Sequence, residues 1–437
     1  MVKLRVASII WLLLIAVTVL PLASAEGPTV RLLEISGPVT PAMVSYFERG
    51  IVAAERADAR ALIIQLDTPG GQVDLTLQIV QLIRASSVPV VVYVAPRGAQ
   101  AASAGTIITL AAHAAVMAPE TVIGAASPVG LGEELDDTSE RKAKEDLKAT
   151  VRSLAERRGP EVVALAEATV EEARAVFAGE ALEAGLIDLV ADDIAGLLDG
   201  LDGLVVEVNR QQVVLATAGV EVVLVPMNAI ERLLHTVVNP TIVTILVAIG
   251  VQAVLIELSS PGGWVAGFVG VVCLALGFYG LGLLPVNWLG LGLVVLAFVL
   301  FLLDVQAPTH GALTVVGIVT LVAGFLLLFN YPGSPEFARV SIPLVIGVGA
   351  TSGGFFAFIL AKALGAQRRQ PVTGIEGLIG AVGETRTPLT PTGSVFVQGE
   401  RWSAVSEDGT DLPARVPVRV VAAQGFQLLV RLVDNGG

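Results

Sequence analysis

The feature that most constrains this chain is a long apolar stretch in its second half. Between Thr241 and Leu360 the sequence contains only four charged residues, Glu257, Asp304, Glu336 and Arg339. Turn-forming residues divide the stretch into runs that are each close to the roughly 20 residues needed to span a bilayer core. We therefore predict a multi-span α-helical membrane domain over residues 241–365. About five spans are expected, near residues 241–258, 263–284, 287–305, 310–329 and 341–363.

The N-terminal residues indicate on which side of the membrane the chain begins. Basic residues and an apolar run precede Ala-Ser-Ala at 23–25, a pattern typical of a secretory signal peptide cleaved after Ala25. An uncleaved anchor helix is the alternative, and both place residue 26 outside the cytoplasm. An odd number of spans returns the C terminus to the cytoplasm of a plasma-membrane protein. Basic residues near the end of the last span agree with the positive-inside rule: Lys362, Arg368 and Arg369.

Charge and composition exclude several classes of function. The formal net charge is −13, so no basic patch is available for nucleic acid. The only cysteine, Cys273, excludes a disulfide framework. The three histidines, His113, His235 and His310, are scattered, and no carboxylate spacing indicates a metal cage. We therefore expect neither a metal nor a cofactor.

Residues 29–190 alternate between short β-branched runs and amphipathic segments. The runs at 29–35, 61–66 and 88–94 predict strands, and the segments between them predict helices. Repeated units of this kind form a mainly parallel sheet covered by helices, with ligands bound at the carboxyl ends of the strands.

Two segments rich in small residues follow such strand ends. Pro69-Gly70-Gly71 leaves backbone N–H groups free to face a ligand, although an ordinary turn has the same composition. Ser103 lies among residues too small to cover its Oγ, before a predicted helix whose first N–H groups lack intrahelical partners. This geometry fits a serine nucleophile. The alternative is a small-residue helix packed closely on a neighbour.

A polar helix is predicted further along the chain, at residues 139–158. It carries Lys142, Lys144 and Lys148, and its ordinary interpretation is a solvated face.

The remaining segments predict the boundaries of the domains. Residues 204–215 predict a hairpin, and the soluble domain is expected to end near residue 225. A linker is predicted at 226–240, before the spans. Residues 371–437 predict five short strands in a small closed barrel.

Together these motifs resemble a known family. Pro-Gly-Gly71 and Ala-Ala-Ser103-Ala-Gly resemble elements of the Clp-protease/crotonase superfamily. The order of signal peptide, protease-like domain, spans and barrel resembles the long-form NfeD membrane serine proteases. The run containing Gly380-Ala381, Gly399-Glu400 and Trp402 resembles the NfeD OB-fold barrel. The implied fold is an α/β Clp-protease/crotonase-like domain over 26–225, then the membrane domain and a small all-β OB-fold barrel.

The resemblance implies a Ser–Lys dyad and an oxyanion hole. Ser103 matches the family's nucleophile. Lys142 matches the lysine, since the family's lysine has a fixed spacing to the serine of the run Arg152-Ser-Leu-Ala, and this selects Lys142 over Lys144. By comparison with Clp-type proteases, the oxyanion donors would be the backbone N–H groups of Gly71 and Ala104.

The dyad has a physical requirement, because an unperturbed lysine is protonated at neutral pH and cannot act as a base. Lys142 has polar neighbours on both sides, which predicts an exposed segment. We expect that segment to become ordered over an apolar groove on substrate binding or dimerisation. The segment in which a Clp-type triad carries its histidine reads Gly124-Ala-Ala-Ser127-Pro here and contains no histidine. His113 is too far along its helix to replace it.

The implied function is a membrane-anchored serine endopeptidase that cleaves apolar segments of membrane-associated proteins. Its implied partners are a stomatin-like (SPFH) membrane protein, a peptide substrate, membrane lipid and a second copy of the chain. The alternative is a catalytically weak or inactive scaffold that organises stomatin-like proteins. The signal peptide argues against a crotonase-type acyl-CoA enzyme, and the barrel argues against a signal-peptide-degrading protease.

Overall fold

The computed structural model describes residues 28–128, 137–259, 263–306, 309, 311–332, 334–367 and 375–433. The predicted signal peptide, residues 1–25, lies outside the described residues. The chain divides into two compact units, Met1–Leu303 with Ala312–Gly354, and Asp304–Gly311 with Phe355–Gly437.

The first unit contains an α/β domain built on a parallel sheet. Its strands, in chain order, are β1 (Thr29–Ser36), β2 (Ala61–Asp67), β3 (Val90–Val94), β4 (Gln100–Ala102), β5 (Ala114–Met117), β6 (Val122–Gly124), β7 (Ala175–Phe177), β8 (Leu189–Val190), β9 (Val205–Val208), β10 (Gln211–Val214) and β11 (Glu221–Leu224). Six of them form a parallel sheet in the order β11-β1-β2-β3-β5-β8. A smaller sheet contains β4, β6 and β7, and β9 pairs with β10 in the predicted hairpin.

Helices cover both faces of the large sheet. They are α1 (Pro41–Arg56), α2 (Val73–Ala85), α3 (Ala104–Ala111), α4 (Asp137–Ala155), α5 (Pro160–Glu171), α6 (Ala178–Glu183) and α7 (Ile194–Leu201). Residues of β2 alternate between two buried apolar clusters, with Leu62 and Ile64 in one and Ala61 and Ile63 in the other. Neighbouring side chains of a strand point to opposite faces, so both faces of the sheet are core. One cluster includes residues of α1 to α6, and the other includes residues of α7 and the hairpin.

The segment predicted as a linker contains a docked helix, α8 (Ala229–Val237). A capping box between Asn228 and Glu231 begins it. The Glu231 carboxylate accepts hydrogen bonds from Arg49 of α1 at Nε (2.9 Å) and Nη2 (2.6 Å). Tyr46, one turn earlier on α1, donates to the carbonyl of Val225 at 2.5 Å. These contacts hold the segment against the α/β domain.

Five apolar helices follow, where the sequence predicts the spans: α9 (Pro240–Ser259), α10 (Val265–Leu283), α11 (Trp288–Gln306), α12 (Ala312–Phe329) and α13 (Ile342–Gln367). In the described part of the chain, four helices are long and apolar enough to cross a membrane, and the apolar stretch Trp288–Asp304 of α11 is shorter. Small residues bring the helices together. A methyl group at Gly290 would lie 2.3 Å from the backbone nitrogen of Leu328.

The second unit contains a closed five-stranded barrel, as predicted. Its strands are β12 (Val382–Thr385), β13 (Thr392–Val397), β14 (Glu400–Ser406), β15 (Pro417–Gln424) and β16 (Gln427–Leu432), in the order β12-β13-β14-β16-β15. Alternate residues of these strands fill a compact apolar core: Val395, Val397, Ala404, Val418, Val420, Leu428 and Val430. This architecture is consistent with an OB fold.

Candidate active site

Ser103 lies at a strand-to-helix junction, between β4 and α3. The sequence predicts the helix directly after β3, but the short strand β4 intervenes and pairs with β6 in the second sheet. The backbone of Ser103 has φ 52° and ψ −113°, a conformation that residues with a side chain rarely adopt. Its side chain is half-buried and makes no capping hydrogen bond to α3. Its Oγ has no hydrogen-bond partner among the described residues.

Gly124 and Thr106 hold the backbone of Ser103 in place. The N–H of Ser103 donates to the carbonyl of Gly124 at 2.8 Å. The buried Thr106 hydroxyl lies 3.0 Å from that same carbonyl and accepts from Gly124 N–H at 2.7 Å. Gly124 has φ 115°, and a methyl group there would lie 2.1 Å from the carbonyl oxygen of Arg174. No pattern in the sequence marks Thr106 as a site residue.

Gly70 and Gly71 lie beside the serine. A methyl group at Gly70 would lie 2.8 Å from Ser103 Cβ and 3.2 Å from its Oγ. The N–H of Gly70 donates to Thr68 Oγ1 at 3.1 Å. By contrast, no acceptor for Gly71 N–H is present in the described ranges. Of the two glycines, Gly71 is therefore the one whose N–H is free to face a ligand.

Ala104 supplies a second backbone N–H next to Ser103. It is the first residue of α3, so its N–H has no acceptor within the helix. Every residue of α3 is buried, which fixes the direction of its first N–H groups. Two donors without a partner among the described residues, next to the Ser103 hydroxyl, form an arrangement that can stabilise an oxyanion.

Lys142 lies on α4 with its side chain exposed to solvent. Leu147, Val151 and Ala155 form the buried face of this helix, and Lys142 lies about 140° around the helix from Leu147 at 100° per residue. Within the residues that the structure describes, Lys142 has no hydrogen-bond or ion-pair partner. The structure therefore brings together Ser103, Ala104 and the Gly70–Gly71 loop, and leaves the Lys142 side chain in solvent.

The other lysines of α4 have carboxylate partners. Lys144 Nζ lies 3.0 Å from Glu140, and Lys148 Nζ lies 2.9 Å from Glu171. The hydrogen bonds that Lys148 donates to Glu171 and Glu145 raise its pKa. An ammonium group held charged in this way cannot accept a proton from a serine near neutral pH.

His113 is a structural residue at the far end of α3. It is buried, and its Nδ1 accepts a hydrogen bond from Val90 N–H at 2.9 Å. Burial, together with Arg84 and Arg157, lowers the pKa of His113 to about 4, so this imidazole is neutral at physiological pH. Among the described residues, no group of three His, Cys, Asp or Glu side chains could hold a metal ion.

An α/β domain with a serine at a strand-to-helix junction, apolar helices and a closed barrel define a multidomain membrane protein. Residues 29–208 match the N-terminal domain of NfeD1b, residues 241–362 match the NfeD integral membrane domain, and residues 375–431 match the NfeD-like C-terminal, partner-binding domain. The three matches follow one another in the order that the sequence analysis expects.

Two relatives match over nearly their whole length. The membrane-bound protease PH1510 of Pyrococcus horikoshii is 35% identical over 409 residues, which cover 91% of this chain and 92% of the relative. The membrane protein NfeD1b of Bacillus subtilis is 27% identical over 435 residues, 94% of each chain. A solved structure, the 1510-N membrane protease specific for a stomatin homolog from Pyrococcus horikoshii, is 34% identical. The match covers 48% of this chain and 97% of the chain in the solved structure, with a TM-score of 0.41.

The chain belongs to the NfeD family. The predicted family is confirmed, and the described fold has the predicted order of domains: an α/β domain, a helical membrane region and a barrel consistent with an OB fold.

Proposed function

We propose that this chain is a membrane-bound serine endopeptidase and that Ser103 is its nucleophile. One observation carries the proposal: a backbone conformation unfavourable for serine holds the Oγ, which has no hydrogen-bond partner in the described part of the chain, beside the Gly70–Gly71 loop. Unfavourable backbone conformations persist where the surrounding structure enforces them, and they cluster at active sites. The relationship to a membrane-bound protease over 91% of this chain supports the same assignment.

The proposed reaction is acyl transfer through a covalent intermediate. Ser103 Oγ attacks the carbonyl carbon of the substrate peptide, and its proton passes to the neutral amine of Lys142. The N–H groups of Gly71 and Ala104 stabilise the negative charge that develops on the carbonyl oxygen. Lys142 then gives the proton to the departing amine, and water hydrolyses the acyl-enzyme with the same lysine as base.

Lys142 must change its surroundings to act as the base. Its side chain is exposed, and burial beneath a bound peptide would favour the neutral form that a base requires. We propose that the α4 segment closes over an apolar substrate and that this closure brings Lys142 to Ser103. Activity would then be confined to substrates that order the segment.

We propose a stomatin-like membrane protein as the partner, with an apolar segment of it as the substrate. Family membership supports this choice, and so does the match of the barrel to a partner-binding domain. We further propose a homodimer in the plasma membrane, with the protease domain outside the cytoplasm and the barrel inside it.

Peptide hydrolysis by the full-length protein in detergent tests the dyad. The variants are Ser103→Ala, Lys142→Ala and, as a matched control two residues away, Lys144→Ala. We expect Ser103→Ala and Lys142→Ala each to lower kcat at least about a hundredfold on an apolar fluorogenic peptide, and Lys144→Ala to retain it. The wild-type rate should rise with pH along an alkaline limb. Equal rates in all four proteins would contradict the proposed nucleophile.

The exposure of Lys142 favours a second candidate function. In it, the α/β domain is catalytically weak or inactive, and the protein is a scaffold that organises stomatin-like proteins in the membrane. A folded wild type that cleaves no apolar peptide and still captures a stomatin-like protein would support the scaffold over the protease.

A further inference from the structure

Helix α8, which immediately precedes the first apolar helix, places a histidine against the α/β domain. His235 Nε2 lies 2.7 Å from the carbonyl oxygen of Ser36, and its Nδ1 lies 3.4 Å from Thr40 Oγ1. A carbonyl oxygen only accepts, so Nε2 carries the proton and Nδ1 is left to accept from the Thr40 hydroxyl. A methyl group at Gly37 would lie 3.2 Å from Nε2. The imidazole is therefore fitted closely to the turn between β1 and α1.

The turn between β1 and α1 holds the Gly70–Gly71 loop, which is the candidate oxyanion loop. The N–H of Gly37 donates to the carbonyl of Asp67 at 2.9 Å, and the N–H of Val39 donates to the carbonyl of Gly70 at 2.8 Å. Val39 and Gly71 form a parallel β-bridge. A methyl group at Gly71 would lie 2.6 Å from Val39 Cβ, so the glycine is packed closely against Val39. The position of the Gly71 N–H follows the position of the turn.

The same helix is fixed at one end and continues toward the membrane at the other. Arg49 binds both carboxylate oxygens of Glu231 at its first turn. At its last turn, α8 ends at Val237 and α9 begins at Pro240. A cavity of about 510 Å³ lies here, lined by Ser36 and His235 together with the first residues of α9. The imidazole and the start of α9 therefore border the same cavity beside the turn.

We propose that His235 is a positioning residue, which sets the oxyanion loop through the Ser36–Thr40 turn and so couples the membrane anchor to catalysis. This inference rests on the proposed protease function. His235 touches no substrate in this scheme. Its contribution is to kcat through the position of Gly71, and substrate affinity is left unchanged.

The full-length protein in lipid nanodiscs tests this with three variants. His235→Ala removes both hydrogen bonds. His235→Gln keeps a side-chain N–H for the Ser36 carbonyl. Thr236→Ala is the matched control, because the exposed side chain of Thr236 donates to Arg232 O of the same helix. We expect His235→Ala to lower kcat about tenfold with KM within about twofold, part of the loss seen when an oxyanion donor is removed. His235→Gln should restore most of kcat, and Thr236→Ala should match wild type.

Amide hydrogen exchange at residues 70–72 gives a second readout that does not need activity. Exchange there should be faster in His235→Ala and unchanged in Thr236→Ala. Wild-type kcat and wild-type exchange in His235→Ala would overturn the inference. If even the wild type shows no hydrolysis that depends on Ser103, the proposed function fails, and the exchange result alone decides whether His235 positions the loop.

Discussion

At the scale of single residues, the candidate site depends on a backbone conformation and a close contact that glycine permits. Gly70 has φ 120°, and its Cα faces the Ser103 side chain with no room for a methyl group. Gly98 also has a positive φ, 80°, but nothing lies within 4 Å of the position its Cβ would take. Substitution of Gly98 therefore measures the cost of the backbone conformation alone, and substitution of Gly70 adds the cost of contact with the serine.

Replacing each glycine by alanine should give different results. We expect Gly70→Ala to abolish labelling of Ser103 by a fluorophosphonate probe, because the added methyl group displaces the serine side chain. Both Gly70→Ala and Gly98→Ala should lose about 1–2 kcal/mol of stability from the left-handed backbone. Labelling rates and thermal unfolding of the full-length variants measure the two effects. Normal labelling of Gly70→Ala would contradict the described contact.

Residue patterns predict part of this site from sequence alone. Ser103 and the two glycines follow strand ends and are small, which is visible in the chain. Gly124 and Thr106 carry no comparable pattern, since their roles depend on hydrogen bonds between elements that are apart in sequence. The exposure of Lys142 agrees with its polar neighbours. The proposed closure over substrate remains a prediction.

At the scale of elements, helix α8 shows how a distant contact changes the interpretation of a segment. Residues 226–240 lie between two domains and predict a linker. However, the cation that holds Glu231 is Arg49, far away on α1. Strand β4 is a similar case, because its three residues pair with β6, which lies apart from them in sequence. The periodicity of a short segment carries no information on a distant partner such as Arg49 or β6. Neither α8 nor β4 could therefore be predicted from the sequence.

The docking of α8 predicts a pH-dependent contribution to stability. The hydrogen bonds from Arg49 lower the pKa of Glu231. The stabilisation is therefore complete above the ordinary carboxyl pKa and is lost as the pH falls through the lowered folded-state value. We expect Glu231→Gln to cost about 1–2 kcal/mol at pH 7, and the difference from wild type to shrink as the pH falls below about 4.

Thermal unfolding of the full-length protein between acidic and neutral pH measures this difference. Glu48→Gln on the exposed face of α1 is the control, and it should leave the unfolding temperature nearly unchanged at every pH. A Glu231→Gln deficit that stays constant down to the lowest pH would contradict the ion pair as its cause.

At the scale of the whole molecule, the positions of two helix starts in the first unit bear on the membrane topology of the chain. Phe337, just before α13, lines the same cavity as Ser36 of the α/β domain and Pro240 of α9. The starts of α9 and α13 therefore lie at one end of the helical region, on the side of the α/β domain. An even number of crossings between the two starts would place them at the same end. The five spans predicted from sequence remain a prediction, since four helices of the described residues are long and apolar enough to cross a membrane.

Labelling with a membrane-impermeant maleimide in intact cells tests the sidedness. With Cys273 replaced by alanine, we expect Glu336→Cys to react from outside and Gln424→Cys in the barrel to react only after permeabilisation. Both positions are exposed, so access to the reagent depends on the membrane. Labelling of Gln424→Cys in intact cells would contradict the proposed topology.

The pairing of β1 with β11 has a consequence for how the α/β domain folds during synthesis of the chain. The first strand of the large sheet lies between β2 and β11, and β11 ends at Leu224, shortly before the first apolar helix. A ribosome must therefore translate the whole α/β domain before its edge can close, and contacts this distant in sequence form slowly. Between β11 and the first apolar helix the chain contains only the segment that carries α8. A chain that stops short of β11 exposes the edge of β1, and such an edge promotes aggregation.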